Sequence, residues 1–196
     1  MFSKKNLATK LFTGIAVLFL TTNTYAQTWS SDKSHSKLGF SVSHLMLSDV
    51  DGNFKNFNLK VTAPKDGFQD AVVELTANVN TINTEDETRD KHLQGADFFD
   101  AEKYPTLTFK SKSFKLNKKK KGLIVGDLTI RGVTKTITLT VTYNGSGIHP
   151  YSKKTVAGFK VKGAFKRSDF GIGTGTPNAV VGDDITLDAN IEIAKD

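Results

Sequence analysis

A single all-β domain, an extended eight-stranded antiparallel β-barrel, is the fold class that three features of the sequence predict. Polar and apolar residues alternate with period two along most of the chain, the pattern of strands with one buried face. Short turn signals separate the runs, and short connections favour antiparallel neighbours, because a parallel pair needs a long crossover. Several runs extend over nine to twelve residues, longer than an ordinary strand, and long strands suit a tall barrel.

The alternation is clearest near the C-terminus, where Ile185, Leu187, Ala189, Ile191 and Ile193 alternate with Thr186, Asp188, Asn190 and Glu192. Val133, Lys135, Ile137, Leu139, Val141 and Tyr143 repeat the pattern against threonines. With these, strand-like runs cover about 36–44, 52–62, 71–81, 105–116, 123–131 and 155–165, eight in all. Turns are expected at Asp51-Gly52, Pro64-Lys65-Asp66-Gly67, Lys121-Gly122, Arg131-Gly132 and Asn144-Gly145-Ser146-Gly147. One segment breaks the pattern. Thr84-Glu85-Asp86-Glu87 reads as a capping box with Thr84 at the cap, and one short helix is expected near residues 85–95, stopped by Gly95.

Residues 1–26 read as a secretory signal peptide: Lys4, Lys5 and Lys10 precede an apolar run over 11–20, and cleavage is expected near Ala26. That run is about half of the roughly 20 residues a membrane-spanning helix needs. Residues 27–196 then form one domain, exported to the periplasm or secreted. Removing the signal lowers the net charge from +7 to +4, so much of the basicity belongs to export. The four lysines at 118–121 read as a solvated hairpin turn rather than a nucleic-acid patch. With no cysteine in the chain, thiol catalysis, cysteine-ligated metals and lipid anchoring through a cysteine are excluded, and stability rests on the core.

His35, His44, His92 and His149 show no paired ligand spacing, so no metal is expected. Arg89 and His92, at i and i+3, share a helix face that could either greet a polar head group or tie the helix to the barrel rim. Gly171-Ile172-Gly173-Thr174-Gly175 lacks the following helix that a phosphate loop requires, so its glycines read as loop positions needing positive φ. Neither a Gly-x-Ser-x-Gly elbow nor a carboxylate pair in an apolar setting is present in the sequence. No cofactor is expected, and the chain reads as a non-enzyme. Eleven of the 14 phenylalanines fall after residue 26, giving an aromatic interior. An eight-stranded barrel is just wide enough to be filled by side chains or to hold one slender ligand.

Four stretches carry a family resemblance. Asp32-Lys33-Ser34-His35-Ser36 with Phe40-Ser41-Val42-Ser43-His44 resembles the opening of the YceI-like family of bacterial polyisoprenoid-binding, lipocalin-like proteins. Agreement continues in Arg89-Asp90-Lys91-His92-Leu93 with Asp97-Phe98-Phe99-Asp100 and Tyr104-Pro105, then in residues 126–135, then in Arg167-Ser168-Asp169-Phe170-Gly171. The resemblance implies a lipocalin-like barrel whose apolar lumen encloses an isoprenoid, an isoprenoid quinone or a similar lipid tail, acting as carrier or reservoir in the periplasm. Phe40, Val42, Phe54, Phe57, Phe109, Phe159 and Phe165 are the expected lumen residues. His44, Arg89, His92, Phe98 and Phe99 are expected at the mouth. The expected partner is a long-chain lipid, with transient membrane contact and no nucleic acid; the oligomeric state, a homodimer included, stays open. Two other readings stand beside this one: an enzyme acting on a held isoprenoid or quinone, and a filled barrel serving as an interaction module.

Overall fold

The structure, a computed structural model, describes residues 26–64 and 67–196. The expected signal peptide therefore lies outside the described residues except for Ala26. Eleven strands and one helix follow in order: β1 (Gln27–Ser31), β2 (Lys37–His44), β3 (Ser48–Phe54), β4 (Phe57–Ala63), β5 (Val72–Asn78), β6 (Ile82–Asn83), α1 (Glu87–Gln94), β7 (Thr106–Leu116), β8 (Lys121–Ile130), β9 (Val133–Ile148), β10 (Thr155–Lys166) and β11 (Val181–Lys195). All pairings are antiparallel.

The eleven segments make eight walls, because three pairs run end to end. β1 and β2 share one edge of β11, Ser31 lying opposite Ile193 and Lys37 opposite Asn190. Residues 32–36 loop out between those registers. β3 pairs with β2 and β4 with β1, so β3 and β4 form one wall broken at Lys55-Asn56. β5 and β6 form the next, interrupted by a 3₁₀ turn, Val79–Thr81, that faces this break. There Lys55 N–H donates to the Thr81 carbonyl at 3.0 Å, Asn56 N–H to Thr81 Oγ1 at 3.0 Å, and Asn78 N–H to the Asn56 carbonyl at 2.9 Å. Hydrogen bonding thus continues across the bend, and the walls close through β7, β8, β9, β10 and β11 into an eight-stranded barrel. The bend also changes side-chain parity: Phe54 and Phe57, three residues apart, are both buried.

Several expected turns lie elsewhere. Asp51-Gly52 is inside β3, with Gly52 opposite Phe40, and the true turn follows His44. Asn144-Gly145-Ser146-Gly147 belongs to β9, where Asn144 is an extra residue facing the Gly158/Phe159 step of β10. Gly122 lies within β8, and the β7–β8 reversal is made by residues 117–120, Lys120 N–H donating to the Asn117 carbonyl at 3.0 Å. In each case glycine serves close packing or a bulge rather than a reversal. The helix starts later than the capping box implied: Asp86 is the cap, its carboxylate accepting from Thr88 and Arg89 N–H at 3.0 Å each. Thr84 instead donates its N–H and hydroxyl to Asp90, at 2.8 and 2.6 Å. β1, absent from the expected strands, is too short and polar to show alternation.

The two barrel ends differ. At the lower end, Phe68 of the β4–β5 connection reaches inward, 5.2 Å from Trp29, 5.5 Å from Tyr143 and 5.0 Å from Phe159, centroid to centroid. Phe159 also stacks on Tyr143 at 5.1 Å and meets Phe114 at 6.4 Å. These five aromatics form a solid layer. The opposite end carries the β2–β3 hairpin, α1, the β8–β9 turn at Arg131-Gly132 and the segment 167–180.

Candidate functional site

Above the aromatic layer the barrel is hollow. A cavity of about 440 Å³ occupies this half, within the range of small-molecule pockets. Its walls are the inward faces of nearly every strand, carrying among others Leu75, Ile124, Leu128, Leu139, Val161 and Leu187. Period-two alternation is what aims these side chains inward from so many strands at once.

Glycines keep the hollow open. A Cβ on Gly52 would stand 2.3 Å from the Phe40 ring, and one on Gly126 would stand 2.4 Å from the Phe109 ring. Both phenylalanines lie flat over a wall glycine, so they line the space without crossing it. A Cβ on Gly163 would similarly stand 2.4 Å from Leu139 Cδ2.

Within the cavity lining, the ionisable groups gather at the upper end. His44, Arg89, His92 and Arg167 are the ionisable residues in the lining, with no carboxylate among them. Arg89 donates from Nε to Thr84 Oγ1 at 2.8 Å and from Nη2 to the Thr84 carbonyl at 2.7 Å, which ties α1 to the end of β6. The His92 ring meets Phe98 edge-on at 4.9 Å, and Phe99 meets Phe54 at 6.0 Å. Arg131 donates through Nη1 to the Ala96 carbonyl at 2.8 Å and to the Phe98 carbonyl, holding this covering segment on the β8–β9 turn.

Arg167, 2% exposed, organises the other covering segment. Its guanidinium donates to the carbonyls of Ile172, Gly173, Thr176, Val181 and Gly182 and to Asn178 Oδ1, at 2.5–3.0 Å. A buried cation is costly unless its donors are satisfied, and here backbone dipoles take the place of a carboxylate. Gly171 and Gly173, with φ of 69° and 58°, supply the left-handed turns that aim those carbonyls inward.

Of the residues expected in the lumen, Phe40, Val42, Phe54, Phe109 and Phe165 line the cavity. Phe159 does not; it belongs to the aromatic layer below, because the ring of Phe68 fills the space in front of it. Phe57, directly after the wall break and opposite the fully buried Ala77, is covered by protein and does not reach the open space. All five expected mouth residues lie on the lining, though Phe98 is almost wholly buried and acts as cover. Sequence reading missed the aliphatic majority of the lining, which shares its alternation with any core, and Arg167, whose six acceptors are brought together only by the folded segment 172–182.

Outside the barrel, Asp32, His35 and Glu192 bring ligand atoms within 4.8 Å of one another. Asp32 Oδ1 accepts from Ser34 and His35 N–H at 2.8 and 3.3 Å, while Oδ2 meets His35 Nδ1 at 3.1 Å. Ser36 Oγ donates to the Glu192 carbonyl and accepts its N–H, at 3.0 Å each. This motif closes the loop between β1 and β2, a role that accounts for the Asp32–His35 pair without an ion. The shared hydrogen bond holds the Asp32 carboxyl below its usual range and raises the His35 imidazole above its own.

The YceI-like domain family matches residues 29–193. The chain belongs to the YceI-like family. UPF0312 protein SA2479 of Staphylococcus aureus is 35% identical over 167 residues, 83% of this chain and 95% of the relative. Among solved structures, Burkholderia cenocepacia BcnA superposes with a TM-score of 0.75 at 26% identity, covering 83% of this chain and 98% of BcnA. The Campylobacter jejuni YCEI protein gives 0.69 at 36%, covering 84% and 96%. A polyisoprenoid binding domain from Saccharophagus degradans, implicated in plant cell wall breakdown, shares the fold with a TM-score of 0.63 at 16% identity, covering 87% and 99%. The eight-stranded antiparallel barrel is therefore the architecture this YceI-like chain has in common with its relatives.

Proposed function

We propose that this protein binds the apolar chain of an isoprenoid or similar lipid in the upper half of the barrel and serves as its carrier or reservoir after export. The observation that carries the reading is the cavity itself, walled by aliphatic and aromatic side chains from nearly the whole barrel and closed below by the aromatic layer. Water gains nothing in such a space, since it would find few polar partners there. Each methylene moved from water into it gains about 0.8 kcal/mol. A bilayer offers a similarly apolar interior, so exchange between barrel and membrane is close to neutral, and contacts at the mouth can set its direction. A polar head group would then rest near His44, Arg89 and His92. Binding rather than turnover is favoured by this lining, which sets no carboxylate beside His44, Arg89 or His92. The Saccharophagus degradans domain, a polyisoprenoid binder by its description, supports the choice of ligand class for this fold. Export is supported by the lysines and the apolar run over 11–20 at the start of the chain.

Mass spectrometry of organic extracts from protein purified without detergent tests the reading, and an apolar lipid in stoichiometric amount is the expected result. Val161→Phe, which carries a ring from the wall into the cavity, is expected to fold normally and lose that lipid. Empty extracts from the wild-type protein would refute lipid holding.

A further inference from the structure

We propose that the β2–β3 hairpin tip is the element with which the barrel docks its mouth on a lipid bilayer, an inference that rests on the lipid-holding reading above. The tip is Leu45-Met46-Leu47, closed by Leu47 N–H donating to the His44 carbonyl at 3.0 Å. Leu45 and Met46 have φ of 54° and 56°, so both central residues sit in the left-handed region, the geometry of a type I′ turn. Asn, Asp and Gly take that geometry at least cost, whereas leucine and methionine pay for it sterically. The three side chains are also 47%, 75% and 86% exposed. Val180, 39% exposed, adjoins them through its carbonyl, which accepts from Leu45 N–H at 2.9 Å. Four of the nine large apolar side chains exposed among the described residues thus gather at one point on the rim. Other tight reversals of the same barrel, Arg131-Gly132 and residues 117–120, meet water with polar residues.

A bilayer fits this tip better than a protein partner. One turn of three residues cannot supply the roughly 800 Å² per side that a stable protein interface buries. Insertion into the boundary between head groups and acyl chains asks only for uncharged apolar side chains on a narrow projection. Directly beneath, the cross-strand partners Val42 and Val50 line the cavity, so apolar surface runs from the tip into the lumen. A tip embedded in the acyl boundary would place the mouth where apolar chains lie. Asp49 and Asp183 stand near it, Asp183 meeting Lys166 Nζ at 3.7 Å, while the lysine run at 118–121 belongs to the opposite end. Attraction to anionic lipid therefore does not drive docking, and it should persist on neutral membranes in high salt.

Flotation with phosphatidylcholine vesicles, at low and high salt, tests this with the wild-type protein and L45N/M46G/L47S. The variant gives the turn the residues its φ angles favour, so its melting temperature should be unchanged or higher. Vesicle binding should fall by at least about tenfold, as expected when several large apolar side chains no longer leave water, while N-phenyl-1-naphthylamine, an apolar fluorescent probe added to the purified proteins, binds both alike. Equal binding by the two proteins, wild-type protein that stays off the vesicles, or binding abolished by salt or by K118E/K119E with the tip intact would overturn the proposal. Lipid-free extracts from a wild-type protein that still docks through the tip would refute lipid holding alone.

Discussion

The two halves of this barrel are built from the same residue types yet one is solid and the other hollow. Below, Trp29, Phe68, Phe114, Tyr143 and Phe159 meet ring to ring across the axis. Above, Phe40 and Phe109 lie flat on Gly52 and Gly126 and leave the axis free. At Phe40 and Phe109 a wall glycine lets the ring fold against the wall, whereas at Phe159 the rings of Phe68, Tyr143 and Phe114 hold it within the layer. The covers differ as well. Packing closes the lower end, whereas a network of hydrogen bonds from Arg167 and Arg131 fixes the segments over the upper one.

The largest effect is expected where packing is densest. Phe159→Ala removes the ring shared by Phe68, Tyr143 and Phe114, and should cost about 3–5 kcal/mol in denaturant unfolding; a loss under about 1 kcal/mol would mean that the lower end is not a packed core. Next comes the polar cover. Arg167→Lys keeps the charge but has too few donors for six acceptors, and at about 1.5–3 kcal/mol for a charged hydrogen bond it should lower stability by about 2–3 kcal/mol. Faster amide hydrogen exchange confined to residues 171–182 is the signature that separates this from global loosening. A smaller change, about 1–3 kcal/mol, is expected for Gly52→Val, which drives the Phe40 ring into the lumen. Gly163→Ala meets only the flexible end of Leu139, so a penalty equal to that of Gly52→Val would contradict the idea that wall glycines hold rings aside.

Smallest is the effect at the β1–β2 loop, which lies on the outside of the barrel and should respond to neither cavity nor layer. Asp32 favours protonated His35, a contribution complete below the unfolded imidazole value of about 6.5 and lost as pH rises through the raised folded value. His35 favours ionised Asp32, a contribution present above about 3.9 and lost as pH falls through the lowered folded value. Melting temperatures of wild-type protein and His35→Gln should thus diverge most between roughly pH 4 and 6.5 and converge as pH rises through the raised imidazole value. Parallel curves would dismiss the pair as a contributor.

Much of this was legible in the residues. Alternation located the walls because burial on one face of a strand leaves a period of two, and it placed Phe40, Phe54, Phe109 and Phe165 on the inside. It could not rank them along the axis. Phe109 and Phe159 look alike in sequence, and only the arrival of Phe68, about 90 residues earlier in the chain, sends Phe159 into the solid layer. Turn chemistry misled for a related reason: Gly52 and Gly122 resemble reversal points but serve close approach, to the Phe40 ring and to the Lys115 carbonyl. The real reversal at Leu45-Met46 carries none of the residues that normally announce one.

The aromatic layer has a consequence for anything elongated that enters the cavity. A tube closed at its base takes such a guest lengthwise from above: the end that goes in first goes deepest, and the other is left nearest the top. Because entry and exit both take place from above, one guest must leave before the next arrives, and exchange proceeds in rounds instead of as a flow.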